Sequence, residues 1–323
     1  MMIRKITEII AKPTRDCIYD VMGHTNLCLC VDVGAAAGHI TKKLCQVGGE
    51  KTRVVAFEPF IGNHQHFFNT TNKIRNNIIL VKKAVSDEIG TAEFIIPSVV
   101  QGTEPGWEKY AGYSSVGFLS DIKKVKPLGL ISQAKLFVKS RIQFVNNFLH
   151  NRPHSRLLKV QTTTIDKEFS NEKIDFMKID VQGAEAKVLT GALNVLKENR
   201  INVLYIEWSG EQEVVDILHV CGYEIYDSTY IVGPKVYDMK PFEEIGFEFI
   251  SEINLSTGKI SYEMIISDDK VSPEDAIREV RKRSLGWIQT DLIVISRDFK
   301  EQFEMACKHF SEGQANKAIN TVS

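Results

Sequence analysis

Short apolar runs alternate with helical patterns along this chain, and that alternation constrains its fold more than any other feature. The runs lie at residues 28–33 (CLCVDV), 53–58 (RVVAFE), 78–85 (IILVKKAV), 174–180 (IDFMKID) and 203–207 (VLYIE). Helical patterns follow at 39–47, 60–75, 184–199 and 211–221, and 92–96, 223–226 and 292–295 read as further strands. Strands that are apolar throughout are buried on both faces, which implies a parallel sheet covered by helices. Right-handed crossovers then give a doubly wound, three-layer α/β domain. Ligands in such sheets bind beyond the carboxyl ends of the strands. That rule directs attention to four strand-end acids: Asp32, Glu58, Asp180 and Glu207.

Composition excludes whole-chain disorder and a fibrous protein, since 43% of the 323 residues are hydrophobic and 25% charged. The net charge of −1 removes a chain-wide field for nucleic acid. Charge is nevertheless uneven. Residues 121–156 hold eight Lys/Arg against the single acid Asp121, a local +7 that leaves −8 on the rest. Val138, Ile142, Val145 and Leu149 give this insert a helical apolar face. The six cysteines form no C-x-x-C, so reduced core thiols are expected, with Cys28 and Cys30 buried on one strand face. The first residues carry scattered charges and no apolar stretch of signal-peptide length, so a cytoplasmic protein is expected.

Two stretches carry chemistry. In VDVGAAAGHIT, a strand delivers Asp32 and a loop of very small residues, Gly34 to Gly38, opens a helix. Such a loop lets a ligand approach the backbone and offers it helix N–H groups. The dinucleotide fingerprint G-x-G-x-x-G is absent. Glu58 lies 26 residues beyond Asp32, where a carboxylate can accept both ribose hydroxyls, and Pro59 stops its strand. Ser86 and Asp87 follow the third strand and suit an adenine edge. In the second stretch, KIDVQGAE, a strand ends in Asp180, the chain turns through Gly183, and Glu185 falls in the first turn of a helix. Acids there are favoured by the helix dipole. Thr164 and Asp166 read as a helix cap. Tyr113 and Ser114 sit where a substrate loop would lie, and Trp208 could form an aromatic wall. His64 and His66 face different directions on a helix, so no metal is expected.

VDVGAAAGHIT, the FEP after the second strand, and MKIDVQGAEAKVL, in that order, resemble the FkbM family of S-adenosylmethionine-dependent methyltransferases. The resemblance covers residues 28–228 and the TDLIVIS strand near 290–296. It implies a class I methyltransferase fold, a seven-stranded, mostly parallel sheet whose last strand is antiparallel, here with helical insertions. It also implies S-adenosylmethionine as cofactor. By position it implies that Asp32, Gly34 and Gly38, with Ala35 between them and Pro59 after the second strand, contact the cofactor and that Glu58 meets its ribose. Asp180, Gly183 and Glu185 would form the acidic motif near the acceptor. Two residues depart from the family: Ala36 stands where Asn is usual, and Gln182 where Glu is usual. The second loses a charge beside Asp180 and makes a hard cation there less suited.

The leading reading is an O-methyltransferase acting on a small-molecule or sugar hydroxyl, with Asp180 and then Glu207 as candidates for handling the proton. An N- or nucleic-acid methyltransferase using the basic insert is a second reading, though the insert lacks aromatics interleaved for base stacking. A non-catalytic binding protein is a third. The expected organisation is a helical extension at 1–27, a methyltransferase domain at 28–300 carrying the basic insert 121–156 and a polar insert 253–286, and a helix or tail at 301–323. The basic insert is expected to meet an anionic surface or cover the acceptor pocket.

Overall fold

In the computed structural model of the chain, residues 4–5, 17–96, 118–120, 156–208, 210–232, 247–254, 259–266 and 289–320 are described. Along them run strand β1 (Arg4–Lys5), helix α1 (Cys17–Met22), β2 (Leu29–Val33), α2 (His39–Gly48), β3 (Arg53–Phe57), α3 (Ile61–Thr71), β4 (Ile78–Val81), β5 (Ala84–Val85), β6 (Gly90–Ile96), β7 (Phe118–Ser120) and β8 (Arg156–Thr163). Then follow α4 (Ile165–Glu168), β9 (Ile174–Ile179), α5 (Glu185–Thr190), α6 (Leu193–Lys197), β10 (Ile201–Trp208), α7 (Gln212–Val220), β11 (Glu224–Val232), β12 (Phe247–Asn254), β13 (Lys259–Ile266), β14 (Gln289–Ile295) and α8 (Lys300–Asn320).

The main sheet runs β4-β3-β2-β9-β10-β14-β11, extended beyond β11 by β13 and β12, with β1 added alongside β11. From β4 to β10 every pairing is parallel. The last strand in sequence, β14, inserts antiparallel between β10 and β11. This is the seven-stranded arrangement expected of a class I methyltransferase. A separate small sheet has the order β5-β8-β6-β7.

Side-chain alternation separates the two covering layers. Leu29, Val31 and Val33 of β2 and Leu204 and Ile206 of β10 join one core with Val188 and Leu189 of α5, Leu196 of α6 and Leu218 of α7. Cys30, Phe176, Val203 and Tyr205 face the other way, against Ile18 of α1, Leu44 of α2 and Phe303 of α8. Apolar runs without a polar face are what this double covering needs.

Several boundaries differ from the sequence reading, each for a local reason. The run 78–85 is two strands, because the chain leaves the main sheet after Val81 and Ala84–Val85 pair with Thr162–Thr163 in the small one. The helical pattern 184–199 is broken at Gly191, where a Cβ would lie 2.0 Å from the Ser86 carbonyl oxygen, so only glycine lets the two segments meet. The pattern 60–75 is α-helical only to Thr71 and tightens into a 3-10 helix at Asn72–Asn77. Cys28 is exposed, not buried with Cys30, because β2 begins one residue later; all six cysteines are free thiols. Thr164 and Asp166 do cap: Thr164 accepts from the Lys167 amide at 3.2 Å, and Asp166 accepts from the Asn194 and Val195 amides at the start of α6. Strand β8 has no counterpart in the sequence reading, and neither does the antiparallel β12–β13 hairpin, which runs into the segment expected to be a polar insert at 253–286. The basic insert 121–156 lies outside the described residues apart from Arg156. No described helix is long and apolar enough to cross a membrane.

Candidate active site

Strand order reverses between β2 and β9, so their carboxyl ends flank a crevice. The two ends are locked together: the Asp180 amide donates to the Val33 carbonyl at 3.0 Å, and both the Gly34 and Ala35 amides donate to the Phe57 carbonyl at 3.0 Å. The loop then passes through three left-handed residues, Gly34 (φ 84°), Ala36 (φ 45°) and Gly38 (φ 80°), before α2 begins. At Gly34 the approach is so close that a Cβ would lie 1.9 Å from the Asp180 carbonyl oxygen. Ala36 is strained for a residue with a Cβ, where an asparagine would sit more easily. Its amide donates to Glu58 Oε2 at 2.8 Å, which holds it in place.

Beyond these strand ends lies an open cleft of about 640 Å³, walled by Gly34, Ala36, Glu58, Pro59 and Asn63 on one side and Asp180, Val181 and Gln182 on another, with Ala84, Val85 and Phe94 closing it. Glu58 is buried and accepts from the Ala36 and Phe60 amides, both at 2.8 Å. Burial outweighs those bonds and pushes its carboxyl up to about 7. The neighbouring Asn63 Oδ1 is buried with no hydrogen-bond partner.

The opposite wall is an acid cluster built around one lysine. Lys178 Nζ lies 2.9 Å from Asp180 Oδ2 and 4.0 Å from Asp32 Oδ1. The Gln182 side chain, carried at φ 57°, donates to Asp180 Oδ1 at 2.7 Å and to Glu207 Oε2 at 2.6 Å. Burial would raise the Asp180 carboxyl, but the Lys178 charge and the bonds from Glu207, Lys178 and Gln182 win and hold it well below the usual carboxylate range. Glu207 is pushed up to about 11, first by burial and then by the Asp180 charge. The pair therefore holds one proton at neutral pH, and the Lys178 ammonium 2.9 Å from Asp180 favours its place on Glu207. Asp180 keeps 28% of its side chain exposed to the cleft.

The structure thus brings Gly34, Glu58, Pro59 and Asp180 together in the cleft walls, with Glu207 bonded to them through Gln182. Other candidates are placed differently. Asp32 is fully buried and does not line the cleft: its Oδ2 accepts from the Thr41 hydroxyl of α2 at 2.6 Å, so it braces the loop from behind. Ala35 is buried, and Gly38 caps α2. Ser86 donates to Asp87 at 2.8 Å and its amide joins Thr163, because the chain has already moved to the small sheet; Ala84 and Val85 line the cleft instead. Glu185 turns back on its own loop to accept from the Gly183 and Val181 amides at 3.0 and 3.3 Å, and burial pushes it up to about 7. Gly183, at φ 97°, makes that turn possible. Trp208 is no exposed wall: it is buried and its indole donates to the Glu211 carbonyl at 3.0 Å. Tyr113 and Ser114 lie outside the described residues.

The sequence reading passed over Lys178, Gln182 and Asn63 as site residues. Lys178 had a signal, a lone cation inside the apolar run IDFMKID. Asn63 had none, since one polar residue in a helical pattern is ordinary.

The strand order and the crevice together define a class I methyltransferase fold. A methyltransferase FkbM domain matches residues 32–225, and the chain belongs to that family. Comparison with curated proteins finds no match. Among solved structures the chain is similar to a precorrin-6y C5,15-methyltransferase from Geobacter metallireducens, at 7% identity over 90% of this chain and 92% of that one, with a TM-score of 0.37. It is also similar to a SAM-dependent O-methyltransferase from Thermotoga maritima, at 8% identity, 87% and 63% coverage and a TM-score of 0.35. A SAM-dependent methyltransferase from Aquifex aeolicus gives 14% identity, 81% and 93% coverage and a TM-score of 0.32.

Family membership implies S-adenosylmethionine, and the residues present fit it. The left-handed loop leaves backbone exposed at Gly34 and Ala36, Glu58 offers a carboxylate to paired hydroxyls, and the orphaned Asn63 oxygen beside it calls for one further donor.

Proposed function

We propose that this methyltransferase transfers the methyl group of S-adenosylmethionine to a hydroxyl oxygen of a small molecule or sugar, with Asp180 taking the hydroxyl proton. One observation carries the reading: an ionised, partly exposed carboxylate shares a cleft with the Gly34–Glu58 pocket. Bound S-adenosylmethionine supplies a methyl carbon already activated by its sulfonium. The protein's part is to orient the partners, exclude water and receive a proton. Asp180 is too weak a base to deprotonate a resting alcohol. It is strong enough to take the proton as the new carbon–oxygen bond forms, because the attacking oxygen then becomes strongly acidic. Glu207, already protonated, donates to Asp180 and does not compete for that role. The test is methyl transfer from labelled S-adenosylmethionine to a panel of sugars and small alcohols. An O-methyl ether is expected; transfer confined to amines or nucleic acid would overturn the reading.

The Glu58 side of the cleft yields a prediction of its own. Ribose hydroxyls donate to the ionised carboxylate, so cofactor binding releases the proton that Glu58 holds below about pH 7. Affinity is then constant above that pH and falls by about tenfold per unit below it, until the bound-state pKa is reached. Glu58→Ala should weaken binding by about 1–3 kcal/mol and flatten the pH dependence. Calorimetry across pH 5.5–8.5 (roughly one and a half units either side of neutrality) checks both. An unchanged affinity in Glu58→Ala removes the ribose assignment.

A further inference from the structure

A lysine inside a sheet covered on both faces is costly to desolvate and persists only when its charge is matched. Lys178 is 8% exposed on β9. Its register neighbours are Asp32 on β2 and Tyr205 on β10. The ammonium bonds Asp180 Oδ2 at 2.9 Å and pairs with Asp32 Oδ1 at 4.0 Å. The other oxygen of Asp32 takes the Thr41 hydroxyl at 2.6 Å, and Thr41 is in the first turn of α2, the helix that the small-residue loop opens. A line of polar groups therefore runs from the loop-bearing helix through Thr41 and Asp32 to Lys178 and the Asp180 carboxylate in the cleft; its Asp32–Lys178 step is a 4.0 Å charge contact, with Asp32 Oδ1 making no hydrogen bond.

Resting on the methyl-transfer reading, we propose that Lys178 is the positioning residue of the acceptor side: it holds Asp180 ionised and in place, and ties it to the same anchor that supports the cofactor loop. The charged and titratable groups around it are few. Asp32 faces it from β2, Asp180 from the end of its own strand and Glu207 from β10. Asp291 of β14 stands opposite Glu207 and acts on it, and Glu185 of α5 feels the charge of Asp180. Lys178 is the one cation in this set. Without it, two acids on the cleft side and one behind the loop share no counter-charge, and protons must replace it. A lysine serving only to fill the sheet would instead affect stability and leave the protonation of Asp180 alone.

The experiment follows carboxyl resonances in the full chain labelled with ¹³C at Asp and Glu side chains, as pH is lowered. Asp180 is assigned by the signal missing from Asp180→Asn. In the wild type it should stay ionised to about pH 4 or below. In Lys178→Met its midpoint should rise by about one pH unit or more, and Lys178→Arg, which keeps the charge, should hold it low. An unchanged midpoint in Lys178→Met overturns the proposal, as does an equal rise in both variants. If Lys178→Met does not fold, Lys178→Gln, which keeps a donor to Asp180 without the charge, takes its place: the same rise is expected, and an unchanged midpoint overturns the proposal. Calorimetry of the wild type with S-adenosylmethionine is run separately. Its failure would sink the cofactor reading and leave the Lys178 titration standing, so the two failures are distinguishable.

Discussion

Gly34→Ala is expected to lose about 3 kcal/mol or more of stability and to bind S-adenosylmethionine poorly, through two costs that add at one atom. The residue sits at φ 84°, where an L side chain is disfavoured by roughly 1–2 kcal/mol. The added Cβ would also lie 1.9 Å from the Asp180 carbonyl oxygen and 2.9 Å from its carbon. Those are backbone atoms just past the end of a central strand, held by the Asp180–Val33 bond, and cannot swing aside as a side chain could. Relief requires β2 and β9 to part at their carboxyl ends, which breaks the bond from the Asp180 amide to the Val33 carbonyl. Forced overpacking of this kind adds about 1–3 kcal/mol. The same displacement moves Asp180 relative to Glu58, so cofactor affinity and thermal midpoint should fall together. A Gly34→Ala protein that melts within a degree of wild type would show that the two strand ends have slack the geometry does not suggest.

That contact also explains what was legible in the sequence and what was not. The β2 run, the small loop and the acid-tipped β9 run could each be read, because period, composition and turn chemistry are local properties. The main sheet and the positions of Glu58 and Asp180 at its ligand edge followed from them. Which way an acid points at a strand end is not local. Asp32 and Glu58 look alike in sequence, yet Asp32 turns behind the loop to Thr41 while Glu58 faces the cleft. Glu185 likewise turns to the amides of its own loop. The β8 strand and the β12–β13 hairpin escaped for another reason: they lie beyond the βαβ alternation and pair in the small sheet or outside β11. Trp208 follows an acid at a strand end, which suggested a wall, but the β10 strand continues to it and buries it.

Asp180→Asn is expected to lower kcat by about 10²–10⁴-fold, the usual worth of a positioned proton acceptor. S-adenosylmethionine affinity should stay within a few fold, because the Gly34–Glu58 pocket proposed for it lies at the other wall. The variant should also fold well, for a reason found in the cluster. Glu207 is held protonated partly by the charge of Asp180. When that charge goes, Glu207 can release its proton and become the counter-charge for Lys178. The new amide then accepts from Lys178 or Gln182 and donates to the Glu207 carboxylate. Glu207→Gln makes the complementary case. A protonated glutamic acid and a glutamine are close in shape and both neutral, so this variant should keep kcat within a few fold and shift the thermal midpoint little. The double variant Asp180→Asn/Glu207→Gln leaves Lys178 with Asp32 alone and should destabilise by more than the two single changes summed. Rates with a confirmed acceptor, cofactor affinities and melting midpoints on the three proteins separate the roles. Full activity in Asp180→Asn would end its assignment as proton acceptor. A rate that collapses in Glu207→Gln but not in Asp180→Asn would exchange the parts of the two acids. That outcome would require the free protein to carry its proton on Asp180, against the 2.9 Å contact with the Lys178 ammonium.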